Sequence, residues 1–167
     1  MLKKKTSKQA VLKLGKACKR CGNCCSYTSA YLQKDDINRI SRKLRMTEQA
    51  FANKFVDNAE AFNTMVQKLK TRKGKYYGSC IMFDRDKGCL IHSVKPFYCR
   101  ISTCAPIGKD IQEWFAVNYL VNVNDPESIR QWNFHVEFSG TIEGAKPIDL
   151  LPSKEKLDAI LTYKILR

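Results

Sequence analysis

The chain has 167 residues, 44% of them apolar, which suits one globular domain, or one domain with an appended segment, and excludes a disordered composition. A count of 30 Lys+Arg against 16 Asp+Glu gives a formal net charge of +14, which excludes an acidic surface and needs its own explanation. No run of about 18 apolar residues occurs, and the opening "MLKKKTSKQAVLKLGK" lacks the continuous apolar stretch of a signal peptide, so neither a membrane span nor secretion is expected.

Residues 1–16 read as a basic N-terminal arm, although Val11, Leu12 and Leu14 could dock a short helix. "KDDINRISRKL" at 34–44 places Ile37, Ile40 and Leu44 on one helical face, and Asp35 or Asp36 suits its positive end. "TEQAFANKFV" at 47–56 predicts a second helix, with Thr47 as its cap and Phe51 and Phe55 stacked one turn apart. From 65 to 92 the pattern turns toward strands. "MVQKL" and "KYYG" flank a basic turn, and "CIMF" and "CLIH" flank "DRDKG", in which Gly88 can take a positive φ. Pro96 favours a helix start at "PFYCR". "EWFAVNYLVNV" and "NFHVEFSG" read as strands around a short helix at "DPESIRQW". "PSKEKLDAILTYKILR" closes the chain as a helix capped by Ser153, with Leu157, Ile160, Leu161 and Ile165 in one stripe. The fold class expected is α+β: a small metal-organised, cysteine-rich domain of short helices and β-hairpins at 17–110, with a strand/helix extension at 111–167 packed on it.

The cysteines decide what organises that domain. Of eight in all, four fall within "CKRCGNCC", where Cys18, Cys21 and Cys24 are spaced C-x2-C-x2-C and Cys25 follows directly. The others are Cys80, Cys89, Cys99 and Cys104. Without a secretion signal, a reducing cytoplasm is the expected setting, and clustered thiols there point to metal ahead of disulfides. Two residues between cysteines let the chain turn back so that both sulfurs face one centre, and Gly22 helps that turn. The triple spacing matches the run that holds three corners of a [4Fe–4S] cube, whereas one zinc ion normally takes a pair from each of two segments. An iron–sulfur cluster is therefore expected, most simply [4Fe–4S], with zinc as the alternative and all eight cysteines as candidate ligands. Neighbouring side chains point different ways, so Cys24 and Cys25 should serve different centres, or one should ligate while the other packs behind it.

These residues resemble the YkgJ-type cysteine cluster family, a zinc- or iron-chelating domain with a CxxCxxCC motif. The resemblance is carried by "CKRCGNCC" at 18–25, by residues 32–56, and by "GSCIMFDRDKGCLIHSVKPFYCRISTC" at 78–104. In the last block Cys80, Phe83, Cys89, Ile91, Pro96, Cys99 and Arg100 fall in step, while His92 stands where Tyr is usual and Lys95 where Arg is usual. Residues 105–167 carry no such likeness. The resemblance implies metal chelation. Flagellin lysine N-methylases have a similar cysteine block, which opens a methyltransferase-like alternative, but no glycine-rich nucleotide loop is present here.

His92 and Arg100 are candidates to stand behind the ligands, hydrogen-bonding a sulfur or neutralising its charge. His135 reads as structural. Lys68, Lys70, Arg72, Lys73 and Lys75, followed by Tyr76 and Tyr77, combine phosphate-neutralising charge with rings that stack on unpaired bases. They suggest RNA or a ribonucleoprotein as partner, with an acidic protein as the other possibility. No Ser/His/Asp arrangement, P-loop or dinucleotide fingerprint appears, so no catalytic residue is assigned.

Overall fold

The computed structural model describes residues 2–16, 18–19, 21–74 and 77–166, with Lys73 described by its backbone alone. In chain order the elements are α1 Lys8–Gly15, α2 Asn23–Tyr27, α3 Lys34–Lys43, α4 Glu48–Phe55, β1 Val56–Ala61, β2 Thr64–Leu69, β3 Phe83–Asp84 and β4 Gly88–Cys89. They continue with α5 Phe97–Ile101, α6 Gly108–Tyr119, α7 Pro126–Ser139, α8 Pro147–Leu150 and α9 Lys154–Leu161. Two small sheets, β1–β2 and β3–β4, accompany the helices, so the class is α+β. Among the described residues, no helix is long and apolar enough to cross a membrane.

The chain forms two compact units. One comprises Gly15–Ala59 and Val66–Cys104 and holds every cysteine; the other comprises Met1–Leu14, Glu60–Met65 and Ala105–Arg167. The β1–β2 hairpin thus has the base of its stem, 56–59 and 66–69, in the cysteine unit, while its tip, Glu60–Met65, belongs to the helical unit.

In the cysteine unit, α3 buries Ile40 completely and packs Ile37 and Leu44 against the same core, as its stripe predicts. Its N-cap is Gln33, one residue before the helix, and Asp36 completes the start by accepting the Gln33 N–H at 2.9 Å. Thr47 caps α4, accepting the Ala50 N–H at 3.1 Å, and the rings of Phe51 and Phe55 lie 5.5 Å apart. Phe51, Ile40, Leu32, Leu69, Met82, Ile91 and Cys80 form one core cluster.

In the helical unit the two segments read as strands are helices. In α6, residues 113–117 are all buried, and the apolar run 114–117 looks the same in a buried strand and a buried helix. In α7, Asp125 caps the start, accepting the Glu127 N–H at 3.0 Å, and Pro126 follows in the first turn. The helix then runs through the alternating "FHVEF", burying Ile129 and Trp132 and leaving Phe134 and Phe138 as an exposed pair one turn apart, with ring centroids 4.5 Å apart. Ser153 caps α9, accepting the Lys156 N–H at 3.2 Å, and Leu157 and Ile160 are buried. The helix stops at Leu161, short of residues 162–166 that were also expected in it, and Arg167 lies outside the described residues. The N-terminal residues do not form a free arm. Leu2 and Val11 are buried, Lys4 N–H donates to the Glu143 carbonyl at 2.9 Å, and Trp114 Nε1–H donates to the Thr6 carbonyl at 3.0 Å.

Candidate metal centre

Gly22 begins the site. Its φ of +73° is a left-handed conformation that glycine adopts without strain, and it turns the chain into α2 immediately after Cys21. The turn also lets the Phe83 ring close in, because a Cβ on Gly22 would lie 2.6 Å from Phe83 Cζ. Cys24 and Cys25 occupy consecutive positions of α2, so their side chains leave the helix about 100° apart.

Cys80 N–H donates to the Cys25 carbonyl at 2.8 Å, tying the first cysteine segment to the second. From Cys80 the chain enters β3, and Phe83 pairs with Cys89 across the antiparallel ladder. The turn between them is the expected one: Asp84 Oδ1 accepts the N–H groups of Asp86 and Lys87, both at 2.9 Å, and Gly88 has φ +75°. Those two bonds hold the Asp84 carboxyl below its ordinary range. Cys99 lies on α5, whose first N–H, that of Phe97, donates to the buried Asp36 carboxylate at 2.9 Å. Arg39 bonds that carboxylate at 2.7 Å and the Lys95 carbonyl at 3.0 Å, so α3 sets the start of the helix that carries Cys99. Cys104 follows α5, and its Sγ lies 3.9 Å from Sγ of Cys21.

All eight cysteines are free thiols. Cys21, Cys24 and Cys104 are exposed, Cys18, Cys25, Cys89 and Cys99 are half-buried, and Cys80 is buried. Burial raises the Cys80 thiol to about 11 and pushes Cys89 and Cys99 up as well. Cys24 and Cys25 share a hydrogen bond, which lowers Cys24 to about 6 and raises Cys25. Charge on Cys24 acts on Cys80, Cys89, Cys99 and Cys104, so both segments lie within one electrostatic neighbourhood. Lys95, which stands where Arg is usual in the resembling family, is a nearby cation whose attraction partly offsets the rise at Cys89 and Cys99 and adds a little to the fall at Cys24.

The donor set suits a soft metal, since thiolates select zinc and iron–sulfur clusters over hard cations. Among the described residues no group of three or more His, Cys, Asp or Glu side chains is gathered closely enough to hold a metal ion; Cys21 and Cys104 meet as a pair. The Cys21–Cys104 separation is close to the roughly 3.8 Å between two thiolates on one tetrahedral ion with 2.3 Å metal–sulfur bonds.

The family model described as "CxxCxxCC: Putative zinc- or iron-chelating domain" matches residues 17–120. The chain belongs to the CxxCxxCC family. No curated protein and no solved structure matches it. The CxxCxxCC match takes in all eight cysteines and continues past Cys104 into α6, further than the likeness legible in the motifs.

The other sequence candidates fall as follows. His92 is half-buried in a 3-10 turn, His92–Val94, and Arg100 is exposed on α5. Lys70 Nζ already donates to the Asn53 carbonyl at 2.9 Å, and the Arg72 guanidinium donates to the Phe83 carbonyl. Lys68 is half-buried and Tyr77 exposed. Lys75 and Tyr76 lie outside the described residues, as does the Lys73 side chain. His135 is a structural group: its Nε2 contacts both Glu113 carboxylate oxygens at 2.9 Å and its ring stacks on Trp132.

Proposed function

We propose that this CxxCxxCC protein is an iron–sulfur protein whose cluster, of the [4Fe–4S] type, is held by Cys18, Cys21, Cys24 and Cys104. The supporting observation is that Cys104, from a distant segment, comes beside Cys21 and so puts a fourth thiol within reach of the C-x2-C-x2-C run; each thiolate of a cube takes its own iron, so these two sulfurs, 3.9 Å apart, would separate as the cluster forms. The cluster would supply one-electron redox chemistry and a covalent brace for a unit whose strands β3 and β4 are two residues each. Three of these four cysteines are exposed, which suits electron exchange with a partner docked on this face. The net charge of +14 favours an acidic partner, and free thiols suit the reducing cytoplasm.

Purification without oxygen tests the proposal. The protein should be brown and contain iron and acid-labile sulfide in equal amounts, about four of each per cluster. A second reading, a thiolate-bound zinc ion, is favoured by the Cys21–Cys104 distance itself, which two ligands of one tetrahedral ion would show. Colourless protein with stoichiometric zinc would establish that reading and reject the first.

A further inference from the structure

We propose that the eight thiols divide into an outer set, Cys18, Cys21, Cys24 and Cys104, and an inner set, Cys25, Cys80, Cys89 and Cys99, forming two metal centres of unequal accessibility, the outer readily exchanged and the inner held against the core. This rests on the thiolate-metal reading above and extends it to the four cysteines that reading leaves unused.

Three geometric observations carry the division. Cys104 meets Cys21, a member of the triple run, and both are exposed. Cys80 belongs to the buried core cluster, and Cys89 and Cys99 both pack against it. Cys25 is bound to this second group through its carbonyl, which accepts the Cys80 N–H at 2.8 Å. The vicinal pair is then the boundary. A helix turns about 100° per residue, so α2 can offer Cys24 to one set and Cys25 to the other.

Unequal accessibility has a chemical result. A chelator or an acceptor protein removes metal by attacking a ligated ion from solvent, and it reaches ions held by exposed sulfurs first. The inner centre is less open to such attack, because Cys80 is buried in the core cluster with Ile40, Phe51 and Leu69, and Cys89 and Cys99 pack against that cluster.

The test uses the full chain, loaded anaerobically and then exposed to EDTA, with metal release followed in time and newly freed cysteines trapped by alkylation and mapped by mass spectrometry. Two phases of about equal amplitude are expected, the second at least about tenfold slower, with Cys18, Cys21, Cys24 and Cys104 labelled in the first. Cys104→Ser should abolish the fast phase and keep the slow one. A single release phase that labels all eight cysteines together overturns the division. So does a folded Cys104→Ser protein, checked by circular dichroism, that retains no metal. Should Cys104→Ser fail to fold, the release phases of the unaltered protein decide the matter. Protein that takes up no iron or zinc under any loading condition instead refutes the metal reading itself, whereas full loading with a single release phase refutes the division alone.

Discussion

Replacing Asp36 with alanine removes the group that joins α3 to the helix carrying Cys99. Its carboxylate is 1% exposed and accepts three hydrogen bonds, from Gln33 N–H at 2.9 Å, Phe97 N–H at 2.9 Å and the Arg39 guanidinium at 2.7 Å. Losing the first loosens the start of α3, at about 1 kcal/mol, the usual cost of a lost helix cap. Losing the second leaves a buried N–H without an acceptor, at about 2 kcal/mol. The Arg39 side chain is 34% exposed and can rehydrate, so the broken ion pair adds only about 0.5 kcal/mol. Asp36→Ala should therefore destabilise the protein by about 3–4 kcal/mol, a large fraction of the stability of a domain this size. Asp36→Asn keeps one carbonyl oxygen for Phe97 but turns an NH₂ group toward the Gln33 N–H, so about half that loss is expected. Urea unfolding of the metal-stripped protein measures both, and alkylation of Cys99 in the alanine variant should accelerate in parallel. An alanine variant within about 1 kcal/mol of the parent would refute the claim that this carboxylate fixes the α5 start.

Gly22→Ala should cost about 2 kcal/mol and weaken metal retention, because it combines a φ of +73° with a Cβ 2.6 Å from the Phe83 ring; chemical denaturation and metal analysis would both register it, and a neutral result would sink the argument. Cys80, raised to about 11 by burial, and Cys89 and Cys99, also raised, carry protons at neutral pH that a metal must displace. Zinc affinity at these thiols should therefore weaken as pH falls from about 8 to 6, by about tenfold per pH unit for each displaced proton, and competition against a calibrated chelator would reveal a flat profile if the reasoning fails. Trp132→Phe should destabilise by about 2 kcal/mol, because the buried indole N–H donates to the Ala145 carbonyl at 2.8 Å and phenylalanine leaves that oxygen unpaired; a thermal shift near zero would contradict it.

What could be read from the sequence follows from how local each signal is. Helices α3, α4 and α9 announce themselves through a cap residue and a one-sided apolar stripe, both contained within a few residues. Helix α6 does not, because burial on nearly every side erases the stripe, and in α7 the alternation of Phe134, Val136 and Phe138 imitates a strand although two of those side chains face solvent. Strand β1, "VDNAEA", has almost no apolar alternation and takes its conformation from pairing with β2. The candidate ligands were legible because thiol chemistry resides in the residue itself. The supporting groups were not. Asp36 serves Phe97 across 61 positions, and Lys95 acts on Cys24 across a comparable stretch, relationships that exist only after folding.

The hairpin between β1 and β2 sets a limit on how this protein can be divided. Its turn residues, Phe62 and Asn63, both at positive φ, group with the later part of the chain, where Phe62 sets its ring edge-on to Trp132 at 5.2 Å and Asn63 bonds the Asp125 carboxylate at 2.6 Å. An excised fragment ending at Cys104 would keep every thiol yet present a bare aromatic at its hairpin tip. Transplanting the chelating half as a portable cassette would then call for a polar replacement at Phe62, because the borders drawn by the polypeptide and those drawn by packing do not coincide.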